Sequence, residues 1–330
     1  MNSRLLTVST SPHLLGRATI RSRHLETMLA LLPAVGFGVY YFGGPGLMVI
    51  LLSTAAAVAA EYLAQRLTKQ EVTAGDLHAV LIGLLMGLVL PAGAPWWLPV
   101  VGGAFAVVVG KLFFGGLGGY PMNPVLVAWV ALALSWPEQM NAFYQPLSSE
   151  WYVSETPLMM LKDDPSTLEV ITRSQLWWGL VPGAVGATAT WPLVIGGLYL
   201  VIRRIVPWQI PLGVLLGAAG MALLAAYTDP TLGELGYESF AQQWSIVTFH
   251  LGAGGLMIAA FFLAPEPVTS PVTPWGMFLF GLGVGFMTVI VRTWGAPVDG
   301  AFYGVLIMNA ATPLLDRIRP KVLGKMEGTA

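Results

Sequence analysis

Ten apolar runs, separated by short breaks rich in Gly, Pro and charge, account for most of this chain and leave it few places to fold except a bilayer. The runs cover about 27–42, 46–63, 77–91, 97–114, 124–136, 176–202, 209–227, 244–264, 275–293 and 300–315. Only 10% of the 330 residues are charged, against roughly 25% in soluble domains. The 39 Gly and 24 Pro fit the same setting, because membrane helices tolerate both where helices break or pack closely. The expected fold is therefore an all-α integral membrane protein of about ten transmembrane helices. There is no Cys, which excludes disulfides, thiolate zinc sites and cysteine-ligated clusters. The four His are too scattered for a haem or a metal centre, and a net charge of −1 gives no sign of a nucleic-acid partner.

Ten crossings put both ends of the chain on one side of the membrane. With the N-terminus inside, the inner segments hold Arg4, Arg17, Arg21, Arg23, Arg66, Lys69, Lys111, Arg203, Arg204, Arg317, Arg319, Lys321 and Lys325. The outer segments hold Lys162, Arg173 and Arg292. That asymmetry, 13 against 3 of the 16 cations, sets the orientation by the excess of Lys and Arg on the cytoplasmic side. The expected organisation is a cytoplasmic lead at 1–26 and a first five-helix half at 27–136. An outer loop at 137–175, a second five-helix half at 176–315 and a cytoplasmic tail at 316–330 follow. The lead has no signal-peptide pattern. The outer loop is periplasmic if the bilayer is a bacterial inner membrane.

The halves resemble one another. Leu90-Pro91, Pro95-Trp96, a Gly-rich run and Asn123 in the first are matched by Ala264-Pro265, Pro274-Trp275, a Gly-rich run and Asn309 in the second. An offset of five crossings inverts the second copy. A 5+5 inverted repeat with broken helices resembles the architecture of urea and ammonium channels, and such breaks mark midplane sites in transporters. The alternative is that Pro-Trp simply starts helices at interfaces.

Few side chains carry obvious chemistry. The Gly-rich turn at 115–119 lacks the Lys-Ser/Thr of a phosphate loop and reads as close-packed membrane backbone. Asn123 and Asn309 either hydrogen-bond a polar ring or satisfy the backbone of broken helices. Glu61 and Asp299 are ion-pathway candidates. Glu61 is expected in an interfacial, solvated position, and Asp299 as a helix cap. The loop at 137–175 is longer than a connection needs, and long loops of this kind are functional or disordered.

Phe113-Phe114-Gly115-Gly116-Leu117-Gly118 followed by Pro121-Met122-Asn123-Pro124, then Pro265-Glu266-Pro267-Val268-Thr269, then Asp299-Gly300 and Val305-Leu306-Ile307-Met308-Asn309 with Pro313 and Asp316, together carry a resemblance. They resemble the D subunit of the Rnf complex and its relative, the B subunit of the sodium-pumping NADH:quinone reductase. Tyr120 stands where an Asn is usual in that family, and Glu266 where an Asp is usual. The length favours the Rnf member of the pair.

The resemblance implies FMN joined by a phosphoester to Thr156, in Glu150-…-Ser154-Glu155-Thr156-Pro157-Leu158. Val153 and Glu155 depart from the family's motif. Lys162 is expected to offset the charge of Glu155. A second Thr, in Gly186-Ala187-Thr188, is set aside because it lies inside the sixth apolar run and has no acid upstream. The resemblance further implies a riboflavin near Asn123, a flavin transferase, a neighbouring subunit with its own flavin, and electron transfer coupled to Na+ or H+ movement. With neither an NAD fingerprint nor cluster ligands, the chain is not a complete oxidoreductase by itself. The rival reading is a channel or transporter without flavin.

Overall fold

A computed structural model describes residues 19–148, 150–164, 166–228 and 240–318. The expected lead up to residue 18, the acidic loop at 229–239 and the tail from 319 lie outside the described residues. Among the described residues, twelve helices carry the architecture: α1 (Ile20–Leu67), α2 (His78–Val89), α3 (Trp97–Val108) and α4 (Pro124–Ser135), then α5 (Pro157–Asp163) and α6 (Arg173–Trp178) in the loop, then α7 (Thr190–Ile202), α8 (Gln209–Thr228), α9 (Phe240–Gly252), α10 (Leu256–Leu263), α11 (Pro274–Trp294) and α12 (Ala301–Leu315). Single turns at Pro137–Met140 and Thr167–Val170 complete the loop.

Local chemistry starts these helices. Asn123, Thr156 and Thr273 each place a side-chain oxygen on a free backbone N–H of the first turn, with Pro at the next position. Pro has no N–H to lose there, and its fixed φ suits the first turn. A capping box between Thr19 and Ser22 starts α1 at Ile20, so the first helix reaches back into the expected lead. Gly43, at φ 55 and ψ −134, divides α1 into the two runs read from the sequence.

Helix lengths settle part of the membrane reading. The stretches Ile20–Leu67, Trp97–Phe114, Gln209–Thr228 and Pro274–Trp294 are long and apolar enough to cross a bilayer. The pair α9–α10, bent by 66°, makes a fifth. The remaining apolar helices are shorter: α2, with 12 residues, is about 18 Å long, against a hydrocarbon core of about 30 Å. This is a multi-pass, all-helical membrane protein. Length alone gives the described residues four or five crossings rather than ten.

The sixth apolar run differs from its expected form. Residues 176–202 are not one helix. The α6 helix stops at Gly179 (φ 78), and α7 begins at Thr190. Between them Val185 and Gly186 donate their N–H groups to the carbonyls of Leu90 and Leu88. An apolar segment can stay irregular in a membrane protein when neighbouring backbone satisfies it, and here the end of α2 does so.

Several pairs of helices approach within backbone contact. A Cβ at Gly103 on α3 would lie 2.2 Å from the Ser53 carbonyl of α1. On α11, a Cβ at Gly285 would lie 2.0 Å from the Val214 carbonyl of α8. Gly285→Ala is expected to force the helices apart and to cost about 1–3 kcal/mol. Gly220→Ala, on the same α8 helix with open space around it, should be neutral or stabilising by up to about 1 kcal/mol. Thermal unfolding of the two variants in detergent separates close approach from helix propensity; equal melting temperatures would refute the packing argument.

Candidate functional site

The loop at 137–175 folds over one end of the molecule. Leu147 donates its N–H to the carbonyl of Tyr41, and Trp151 lies over Gly43 at the break in α1. Gly93 donates to the Ala142 carbonyl, and the Tyr41 hydroxyl to that of Trp178. Lys162 Nζ donates to the carbonyls of Gly295, Ala296 and Pro297 at 2.5, 3.0 and 3.4 Å. These contacts bring the loop, the α2–α3 connection and the α11–α12 connection together. His24, Asp76, Lys111, Arg203 and Glu266 gather at the other end.

Thr156 sits half-buried in the lining of a cavity of about 240 Å³ under this loop. Its Oγ1 accepts the Met159 N–H at 3.3 Å and so starts α5. Trp129, Phe143, Phe302 and Tyr303 give the cavity an aromatic wall, and Asp299 and Thr188 add polar groups. The exposed Glu155 points its charge into water rather than into the pocket.

The other expected site residues lie in different places. Ser154 donates its N–H to the Phe143 carbonyl at 2.8 Å and so fixes the approach to Thr156. Lys162 is engaged with the 295–297 carbonyls and is a strap for the loop rather than a counter-charge to Glu155. Asn123 is 2% exposed. Its Oδ1 accepts the N–H groups of Val125 and Leu126, and its Nδ2 donates to the Leu263 carbonyl. Its own N–H goes to Asn309 Oδ1. These are the backbone-satisfying roles weighed for the two amides. Thr188 is not inside a helix: it lies in the irregular segment before α7 and lines the same cavity as Thr156. Its hydroxyl donates to the Ala184 carbonyl at 2.6 Å, and the residue is buried. Thr156 is therefore the more accessible hydroxyl.

Two ion pairs inside the apolar frame were not legible as such. At the cavity, Arg292 donates to Asp299 Oδ1 through Nε and Nη2, at 3.2 and 2.9 Å. The same guanidinium caps the carbonyls of His250 and Ala253 at 2.6 and 2.9 Å, where α9 ends. Asp299 Oδ2 accepts the Gly255 N–H at 2.5 Å, where the chain re-enters helix. One charged pair thus satisfies both sides of the 66° break between α9 and α10. Leu158, two residues beyond Thr156, lies against Gly254 in that break. At the opposite end, Lys111 Nζ lies 2.6 Å from Glu61 Oε1, with side chains 1% and 0% exposed. Glu61 is thus buried and paired, not interfacial and solvated, because Lys111, Gln65 and Thr73 all donate to it. A signal existed in the sequence: both cations interrupt or end apolar runs, and an ionisable residue there has a partner or a task by default.

An all-helical membrane frame with a broken helix, paired charges at depth and a loop-covered aromatic cavity defines a multi-pass membrane protein of the transport or energy-converting class. The chain belongs to the NQR2, RnfD, RnfE family, whose model matches residues 7–324. It is 38% identical to the D subunit of the Na(+)-translocating ferredoxin:NAD(+) oxidoreductase complex of Acetobacterium woodii, over 96% of this chain and 94% of that one. It is 34% identical to the D subunit of the proton-translocating ferredoxin:NAD(+) oxidoreductase complex of Clostridium ljungdahlii, over 96% of each. The D subunit of the ion-translocating oxidoreductase complex of Stutzerimonas stutzeri is 33% identical, over 94% of this chain and 93% of that one.

Proposed function

We propose that this chain is the D-type membrane component of an ion-translocating ferredoxin:NAD oxidoreductase complex, working among other subunits and not as a complete enzyme. The observation that carries this reading is nearly full-length similarity to two proteins of that kind and to the D subunit of an ion-translocating oxidoreductase complex. The quinone-reductase B subunit is the second reading within the family, and the named relatives favour the first.

The proposed cofactor is FMN on Thr156, attached by a flavin transferase acting at the outer, periplasmic face of a bacterial inner membrane. The residues present fit it. A half-buried residue with a hydroxyl lines a cavity with aromatic walls, and the adjacent carboxylate of the motif, Glu155, is exposed to solvent, where salt screens it. The isoalloxazine would supply one- and two-electron chemistry, which the protein positions and tunes. Thr156 would hold the phosphate, and the wall of Trp129, Phe143, Phe302 and Tyr303 would shield the ring from water. Arg292 and Asp299 would fix the floor. Electron exchange with a flavin on a neighbouring subunit completes the role. Asn123 does not fit as a riboflavin ligand, since its amide is buried and taken by backbone, and no step is assigned through it.

The proposed architecture is ten crossings in a 5+5 inverted repeat. Two observations support it. The backbone contact of α3 with the second half of α1 has its counterpart in that of α11 with α8. Lys111 and Arg292, near the ends of the fourth and ninth runs, are each buried against a carboxylate, at opposite ends of the molecule.

The test is in-gel fluorescence of the denatured protein, produced in cells with an active flavin transferase. The native chain and Thr188→Ala should fluoresce, and Thr156→Ala should be dark. A dark native band would remove the covalent flavin while leaving family membership untouched.

A further inference from the structure

At the end of the molecule away from Thr156, one hydroxyl stands between two proton-binding groups. Tyr120 is 1% exposed, and its O–H donates to Glu266 Oε1 at 2.8 Å. The same oxygen lies 3.3 Å from His78 Nε2. His78 is buried, and its Nδ1 has no hydrogen-bond partner among the described residues. Glu266 forms part of the wall of a second cavity, of about 190 Å³, together with Arg23, His24, Leu117, Val206 and Phe262. A group that meets the cavity is thus joined, through one hydroxyl, to a group that does not.

We infer that Glu266, Tyr120 and His78 form a proton-loading site, filled from this cavity. A proton arriving on Glu266 makes it a carboxylic acid. The acid donates to the Tyr120 oxygen, the Tyr120 O–H turns from Glu266 to His78 Nε2, and the acid's proton moves to the Tyr120 oxygen as the Tyr120 proton moves to His78. Glu266 ends as carboxylate, Tyr120 is unchanged, and His78 has gained one proton. Tyr120 serves only to relay: burial, then the Glu266 charge, holds its hydroxyl far above the ordinary tyrosine range. Burial also raises the Glu266 carboxyl above its ordinary value, although the Tyr120 hydrogen bond opposes this.

The surroundings are arranged for a charge that comes and goes. His24 stacks on His78 with ring centroids 4.9 Å apart, and its Nδ1 lies 2.7 Å from the Asp76 carbonyl oxygen. Asp76 accepts the backbone N–H of His78 through Oδ1, and its Oδ2 lies 4.0 Å from Lys111 Nζ. Lys111 is held by Glu61. Among the described residues, the charged and titratable groups around His78 are therefore His24, Asp76, Lys111, Glu61, Tyr120 and Glu266. Burial opposes an imidazolium on His78 most, followed by Lys111 and then His24, and the Asp76 carboxylate is the negative group that offsets them. A cation such as Na+ needs several oxygens converging on one point, whereas here a hydroxyl and a ring nitrogen alternate with carboxylates. The inference deepens the ion-transport reading, since it names the proton as the ion taken up at this end, and it does not depend on a flavin.

The test is pH-step difference infrared spectroscopy on the full-length chain in lipid nanodiscs and sodium-free buffer. Thr156→Ala is measured beside the native chain, so that loss of flavin cannot pass for loss of the site. Acidification should produce a carboxylic-acid band absent in Glu266→Gln, and imidazolium ring bands absent in His78→Gln. Tyr120→Phe keeps the ring in place and should retain the carboxyl band, shifted, while losing the His78 response. Where Glu266→Gln does not fold, Glu266→Asp keeps a displaced band and preserves the assignment. A His78 response unchanged in Tyr120→Phe would overturn the relay. Suppression of the carboxyl band by Na+ at constant pH would make this a cation site instead.

Discussion

Arg292→Leu is expected to destabilise the protein by about 3–5 kcal/mol, the usual cost of removing one partner from a buried ion pair. The guanidinium is bound to two carbonyls and a carboxylate. Without it Asp299 is left charged and only partly solvated, and the end of α9 loses two hydrogen bonds. Arg292→Lys should recover little of this. An ammonium is a point donor and does not reproduce a planar fork that reaches three acceptors. Asp299→Asn should be milder, because an amide oxygen can still accept from Gly255. The expected order of melting temperatures in detergent is native, Asp299→Asn, Arg292→Lys, Arg292→Leu. Limited proteolysis should place new cleavage at 252–255. A lysine variant as stable as the native chain would show that charge alone, and not the fork, holds the break.

Lys111→Met should have an effect of similar size, about 3–5 kcal/mol, by leaving Glu61 as a lone buried carboxylate. The informative result is the cycle. Glu61→Gln/Lys111→Met carries no charge and keeps both side-chain volumes close to native, so it should regain most of the loss. Double variants of buried pairs are often neutral relative to the native protein. If the double variant were as unstable as Lys111→Met alone, the loss would come from packing of the lysine stem rather than from the charge. The measurement is thermal unfolding of all four proteins under one detergent condition.

Much of the frame was legible because its signals are local. Asn123-Pro124, Thr156-Pro157 and Thr273-Pro274 mark helix starts through adjacent residues, and Gly43-Gly44-Pro45 marks the break in α1 in the same way. What failed depended on distant partners. Residues 180–189 are apolar enough to read as helix, yet their backbone is satisfied by Leu88 and Leu90, about a hundred positions earlier. Thr188 reads as helical for the same reason, although the absence of an acid upstream of it stands. Glu61 reads as solvated because its partner Lys111 is 50 residues away and itself reads as an ordinary inner-loop cation. Arg292 likewise passed as an outer-loop charge, since nothing adjacent to it in sequence reveals the carbonyls of 250 and 253. The cavity beside Thr156 draws its wall from residues 129, 143, 302 and 303, a set that no single motif contains.

The bonds of Asn123 also bear on how the chain is made. Its Oδ1 finds partners in the very next turn, but its side-chain N–H waits for a carbonyl 140 residues downstream and its backbone N–H for an amide 186 residues downstream. During synthesis, α4 is therefore made with its cap in place and two donors unmet. They are met only when Leu263 and then Asn309 emerge. This helix start is therefore complete only once the segments around Leu263 and Asn309 have also been made.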